Sequence, residues 1–226
     1  MSTINILVRN KSGANRAYFL FVEPPTLSGG DGPVFSNVYI TAPQVPSDKG
    51  TASFTCVTDY FAVTGTSPGQ KLGSKVQVTT GDWAIVKINQ DNKLGSSLTM
   101  NGDPGNAAAF DSSALEQKCE KPGSFSIRSV NFKVGNGANQ FIGLGAQDAL
   151  DTSNIIPVAT VPAVPGTTAF FTPKAKYYIS WGTYLPGQIV DITTIADPAE
   201  IDFTGKAATK AKVEHNLDGT WSVTYN

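Results

Sequence analysis

Gly65-Thr66-Ser67-Pro68-Gly69 follows the strand-like run Tyr60-Phe61-Ala62-Val63-Thr64 and has the G-x-S-x-G spacing of a serine nucleophile elbow. An elbow needs a helix after the serine and a backbone N–H on the next residue to build part of an oxyanion hole. Pro68 has no N–H. The residues that follow, Gly69-Gln70-Lys71-Leu72-Gly73-Ser74, hold two glycines and no apolar helical face. The segment therefore reads as a Pro-Gly turn joining two strands. The chain order Ser67, aspartates, His215 does fit a hydrolase, but aspartates are common enough that the order discriminates little.

His215 is the sole histidine, and so the sole side chain whose ordinary pKa lies near neutrality. It ends a strand against a turn and is expected to be structural or exposed, with ligand binding as the functional alternative. Glu200 and Asp202 share one face of a strand at the separation of about 6 to 7 Å of i and i+2 neighbours. Two carboxylates flanking a sugar bond are what a glycosidase requires, yet alternation with Ile201 and Phe203 already explains them as the solvated face of an outer strand. Gly143-Leu144-Gly145 begins like a dinucleotide loop but lacks the third glycine and the following helix, so a turn or bulge in a sheet is expected. One histidine and two distant cysteines exclude an ordinary His/Cys zinc site, and no cofactor is expected.

Binding residues are easier to nominate. Asn89-Gln90-Asp91-Asn92 and Asn101-Gly102-Asp103-Pro104-Gly105-Asn106 offer oxygen ligands, but without the spacing and closing glutamate of an EF-hand loop, and Asn, Asp and Gly are turn residues in any case. Lys176-Tyr177-Tyr178-Ile179-Ser180-Trp181-Gly182-Thr183-Tyr184 is the densest aromatic stretch. On a strand Tyr177, Ile179 and Trp181 face one way, toward the core, and Tyr178 and Ser180 the other. Sugar recognition needs an exposed ring beside hydrogen-bonding groups. Tyr178, Tyr184, Asn89, Asp91, Asp103 and His215 are accordingly the candidate ligand-binding residues.

The elements that must position them are strands. β-branched and aromatic runs cut by Gly, Pro, Asn and Asp recur throughout, giving candidate strands at 4–9, 16–22, 36–41, 51–57, 59–64, 74–80, 83–89, 97–101, 124–133, 140–144, 167–171, 176–182, 187–193, 199–204, 209–214 and 220–225. The last two read as a hairpin around Asn216-Leu217-Asp218-Gly219, with Val213 and Trp221 turned inward. One helix is expected, over 111–119, where Ser113 and Glu116 have capping-box spacing. The Pro-rich 156–166 stretch reads as an extended segment on a sheet edge.

The 226 residues suffice for one large all-β domain spanning 1–226. Charged residues are 15% of the chain, Gly numbers 22 and Pro 14, and the net charge of -1 with scattered basic residues leaves no electrostatic footprint for nucleic acid or anionic lipid. No apolar run reaches the length of about 20 residues needed for a membrane-spanning helix, and the N-terminus reads as a strand without a signal peptide, pointing to a cytoplasmic or leaderless secreted protein. Cys56 and Cys119 are too few for a disulfide scaffold, and whether they pair is open. Asn10-Lys11-Ser12 is a glycosylation sequon that acquires meaning only in a secretory pathway.

Ile4-Asn5-Ile6-Leu7-Val8-Arg9-Asn10-Lys11-Ser12 with Tyr18-Phe19-Leu20-Phe21, Gln140-Phe141-Ile142-Gly143-Leu144-Gly145 and Tyr177-Tyr178-Ile179-Ser180-Trp181-Gly182 resemble a group of small, leaderless, β-rich proteins of filamentous fungi. The resemblance implies no activity and transfers no functional residue. The residues themselves point to an antiparallel β-sandwich with long Gly/Pro-rich loops and at most one short helix. The expected role is non-catalytic binding, lectin-like recognition of a glycan or a small ligand. A self-associating structural protein, favoured by the low charge, and a hydrolase using Glu200 and Asp202 or His215 are the alternatives.

Overall fold

A computed structural model describes residues 2–226 apart from Asp31, 69–71, Ser74, 103–107, Ser112, Ala114, Asn131, 133–137 and Ala196, and apart from the side chains of Pro68, Ala138 and Asn139. The strands are β1 (Thr3–Asn10), β2 (Arg16–Val22), β3 (Thr26–Ser28), β4 (Phe35–Val45), β5 (Thr51–Val57) and β6 (Tyr60–Pro68). Then come β7 (Asp82–Val86), β8 (Gly95–Asn101), β9 (Ala109–Phe110), β10 (Glu116–Cys119), β11 (Phe125–Ser129), β12 (Ala138–Gln147) and β13 (Ile155–Pro162). The last are β14 (Thr168–Thr172), β15 (Lys176–Trp181), β16 (Ile189–Val190), β17 (Ala199–Asp202), β18 (Lys210–His215) and β19 (Trp221–Tyr225). No described residue is α-helical, and no described helix is long and apolar enough to cross a membrane.

Three sheets result, antiparallel except for the pairs β1–β18 and β8–β11. One has the order β19-β18-β1-β5, a second β10-β8-β11-β14-β3 with β9 on β8, and the largest β17-β15-β2-β4-β13-β12-β6-β7 with β16 on β4. Their inner faces meet across one hydrophobic cluster, to which β1 gives Ile4, Ile6 and Val8, β2 gives Tyr18 and Leu20, and β11 and β14 give the stacked pair Phe125 and Phe171. The fold is thus all-β and sandwich-like, as composition and alternation indicate. Part of the outer face of the largest sheet is buried as well. Phe19 and Phe21 pack there with Val38 and Val190, and Phe61, Val63 and Phe141 with Val78 and Ile155.

The C-terminal hairpin forms as its pattern predicts, with Val213 opposite Val223, His215 opposite Trp221 and Gly219 at φ 84° in the turn. Three local expectations are overturned. The described residues of 111–119 make no α-helix: Glu116–Cys119 is β10, paired with β8, while Asp111 Oδ1 accepts from the N–H and hydroxyl of Ser113. That local bond satisfies the backbone in a turn instead of a helical N-terminus, and a single turn without an apolar face has too little to offset nucleation. The Pro-rich stretch is no edge. Ile155–Pro162 lies inside the largest sheet between β12 and β4, buried on both faces, so its continuous Ile and Val content is that of a central strand. A register shift opposite Leu144 and Gly145 places Pro157 against Gly145 and accommodates the residue that cannot donate to a ladder. Finally, the described residues of 74–80 and 187–193 contribute the bridge between Gln77 and Gln188, β16 and the start of one 3-10 turn over Ile192–Thr194 capped by Asp191, rather than two full strands.

Candidate functional site

Where the first and largest sheets part company at one end of the core, a cavity of about 140 Å³ remains. Ile4 of β1, Val57 of β5, Val22 of β2, Leu144 of β12 and Val158 of β13 give it an apolar wall. Three tyrosines complete it: Tyr39 from β4, Tyr60 from the start of β6 and Tyr177 from β15. The inward alternation of each strand delivers one ring from a different part of the chain. Tyr39 is fixed, its hydroxyl donating to Gln147 O and accepting from Val57 N. The hydroxyls of Tyr60 and Tyr177 make no hydrogen bond to a described residue.

Burial raises the pKa of all three phenols, and for Tyr39 and Tyr177 the neighbouring Cys56 thiol adds to the rise. They stay neutral across the physiological range and act as hydrogen-bonding groups, not as proton-transfer catalysts. Asp59 and Lys174 are the charged residues of the wall, and Lys174 is bound to Glu23 at 3.1 Å. Cys56, beside this group, and Cys119 are both buried and unpaired.

The residues nominated from sequence are dispersed. Tyr178 is half-buried on the outer face, its ring stacked on Phe21 at 5.2 Å and its hydroxyl donating to Glu23 Oε2 at 2.5 Å. Tyr184 lies 4.4 Å from Phe19 in the same aromatic row. Asn89 clamps a loop, its side chain donating to Cys119 O and its backbone bonding Ser124 and Gly123. Asp91, with Asn92, supplies the positive φ of a tight turn. Asp103 lies outside the described residues, as does Gly69 of the serine motif. Ser67 itself is inside β6, buried and paired with Asn139, so no elbow projects it.

His215 is buried, stacked on Trp221 at 4.1 Å and hydrogen-bonded through Nδ1 to Tyr18 Oη at 2.9 Å. Burial, and then the Arg16 charge, lower its pKa, and burial pushes the Tyr18 phenol up to about 12. The ring is a neutral core group. Trp181, expected inside, is instead 47% exposed at the strand's end, where the Arg16 guanidinium stacks 3.9 Å from its centre.

Glu200 and Asp202 do share a face, as alternation requires, but Lys176 lies between them at 3.2 and 3.8 Å. Hydrogen bonds from Thr204 hold the Asp202 carboxyl below the usual range, with Lys176 contributing less. A glycosidase pair needs one carboxyl raised so that it can donate a proton. The Asp202 carboxyl is shifted the opposite way. The sequon at Asn10 is likewise occupied: its buried amide donates to Ala14 O and Val45 O. Among the described residues no group of three or more His, Cys, Asp or Glu is placed to hold a metal.

Sequence reasoning missed the cavity because its tyrosines come from three strands far apart in the chain. The only signal was a phenol in each of three otherwise inward-facing apolar runs. Compared with known proteins, the chain matches a family model described as RhiA over residues 2–226. No curated protein and no solved structure matches it.

Proposed function

The chain belongs to the RhiA family, and we propose that it is a non-catalytic binding protein whose ligand is a small, largely apolar molecule held in the cavity between the sheets. The observation that carries this reading is the pairing of an apolar wall with two phenols, Tyr60 and Tyr177, whose hydroxyls are free to meet a ligand. Ligand sites are typically apolar enclosures with a few polar groups that fix orientation.

Volume narrows the ligand class. A dry apolar cavity of about 150 Å³ takes up benzene, so about 140 Å³ suits one aromatic ring or a short aliphatic chain and excludes an oligosaccharide. A hydroxyl or carbonyl on that molecule would be matched by Tyr60 or Tyr177. The absence of catalysis in this reading is supported by the neutral, core-bound His215 and by the ion pairs that Lys176 makes with Glu200 and Asp202.

The test is titration of the protein with benzene, phenol and indole, read by thermal unfolding and calorimetry. A ligand at about one hundred times its Kd stabilises the folded state by about 2.7 kcal/mol. Ala175→Leu, which fills the cavity from its wall, should abolish binding, and Tyr177→Phe should weaken phenol more than benzene. If none of the three shifts the unfolding midpoint, or if Ala175→Leu binds as the parent does, the reading fails.

A further inference from the structure

We propose that an open cleft on the outer face of the largest sheet, built around Trp83, is a separate binding site for neutral carbohydrate. Its origin is the alternation of β7. Ala84 and Val86 pack on the core, so Trp83 and Ile85 point to the opposite face. Trp83 pairs with Val63 on β6, and its ring stands edge-on to Phe61 at 5.6 Å. Its backbone N–H is held by Asp82 Oδ1 at 2.8 Å, and the other oxygen of that carboxylate accepts from Phe110 N. The strand backbone is thus anchored at Trp83 and the indole is packed on one side by Phe61, yet the residue is 43% exposed. A ring already packed on one side loses less entropy when a ligand stacks on it.

Around the indole stand Thr79, Thr80, Ser153, Asn154 and Pro157, enclosing about 340 Å³. That volume is at the low end of ordinary ligand sites of about 300–1,000 Å³ and exceeds that of the cavity between the sheets. The chemistry is different too. Thr80 donates to Ile155 O at 2.6 Å and Ser153 to Asp151 Oδ1 at 2.6 Å, which leaves both hydroxyl oxygens as acceptors. The Thr79 hydroxyl, the Trp83 indole N–H and the side-chain amide oxygen of Asn154 make no hydrogen bond to a described residue, while the backbone carbonyl of Asn154 accepts from Asp148 N. A sugar presents an apolar ring face for stacking and hydroxyls that both donate and accept, and this wall offers a partner for each.

Among the described residues no charged side chain lines the cleft. An acidic sugar would bury its carboxylate without a counter-charge, which is costly. Neutral sugars are the class that fits. The site is independent of the cavity at the end of the core, so either can fail alone.

The experiment is an array of neutral and acidic oligosaccharides of two to six units, followed by calorimetry with the best neutral binder. Binding confined to neutral sugars is expected, with about a tenfold or greater loss in Trp83→Ala and a smaller one in Trp83→Phe, at an unchanged unfolding midpoint. Asn154→Ala, a loop substitution, should also weaken binding and serves if the tryptophan variants misfold. The proposal is overturned if no neutral sugar binds, if acidic sugars bind equally well, or if folded Trp83→Ala keeps the parent affinity. It is also overturned if the exposed Trp83 and Ile85 mediate sugar-independent dimers that Trp83→Ala dissolves.

Discussion

Tyr18 Oη and His215 Nδ1 lie 2.9 Å apart, joining β2 of the largest sheet to β18 of the smallest through the core. The contact is reinforced by Trp221, edge-on to Tyr18 at 6.1 Å and stacked on the imidazole. A protonatable group thus sits at a junction between two sheets. Its neutrality is a condition of that packing, because a buried imidazolium beside Arg16 would be both desolvated and repelled.

This predicts a stability loss on mild acidification. Burial first, and the Arg16 charge second, depress the pKa of His215 in the folded protein. The unfolded chain therefore binds the proton at a higher pH than the folded one, and stability falls as pH drops below about 6.5 toward the folded value. Urea unfolding at about pH 7.5 and about pH 5.5 should give a lower midpoint at the acid pH. In His215→Gln that difference should shrink, since the carboxylates whose pKa values are held down, Glu23, Asp151, Asp202, Glu214 and Asp218, contribute only at still lower pH. An equal pH difference in both proteins would place the titrating group elsewhere.

Two glycines should respond very differently to alanine. A Cβ on Gly143 would lie 2.1 Å from Ala159 O, inside the β12–β13 ladder, where neither backbone can retreat without breaking pairing. Gly205 has φ +68° with nothing within 4 Å of such a Cβ, so only the left-handed conformation opposes the substitution. Gly143→Ala should cost about 3 kcal/mol or more and Gly205→Ala about 1–2 kcal/mol. Urea midpoints on both variants check the order, and a similar loss at both positions would contradict the close approach.

The difference between what the sequence displays and what it conceals follows from the range of the interactions. Strand alternation and turn chemistry are local, so the Val213 and Trp221 hairpin is readable from six or seven residues on either side of Gly219. Sheet order is not local. Ile155–Pro162 carries two prolines and looks like an edge until β12 and β4 are seen to cover both its sides. The same holds for sites. Glu200 and Asp202 can be placed on one face by counting, but the Lys176 between them comes from the neighbouring strand. Tyr39, Tyr60 and Tyr177 become one cavity only through strand order, and Trp83 becomes a platform only because Ala84 is the residue that faces inward.

Tyr178 provides the last prediction, because its two parts do separate work. The ring stacks on Phe21, and the hydroxyl donates to Glu23 Oε2 at 2.5 Å. Burial alone would raise the Glu23 carboxyl, but the hydrogen bonds from Tyr178 and Lys174 outweigh it and hold the carboxyl below its ordinary value. Tyr178→Phe keeps the stack and removes one donor to the carboxylate. Glu23, followed by carbon-detected NMR titration, should then titrate at a higher pH, while stability at neutral pH changes little because the exposed Lys174 contact persists. Sugar binding at the Trp83 cleft should be unaffected, since Tyr178 is absent from its lining. An unchanged Glu23 titration would mean that Lys174 and Lys176 hold the carboxylate ionised without the phenol, and a loss of sugar affinity would return Tyr178 to the binding surface.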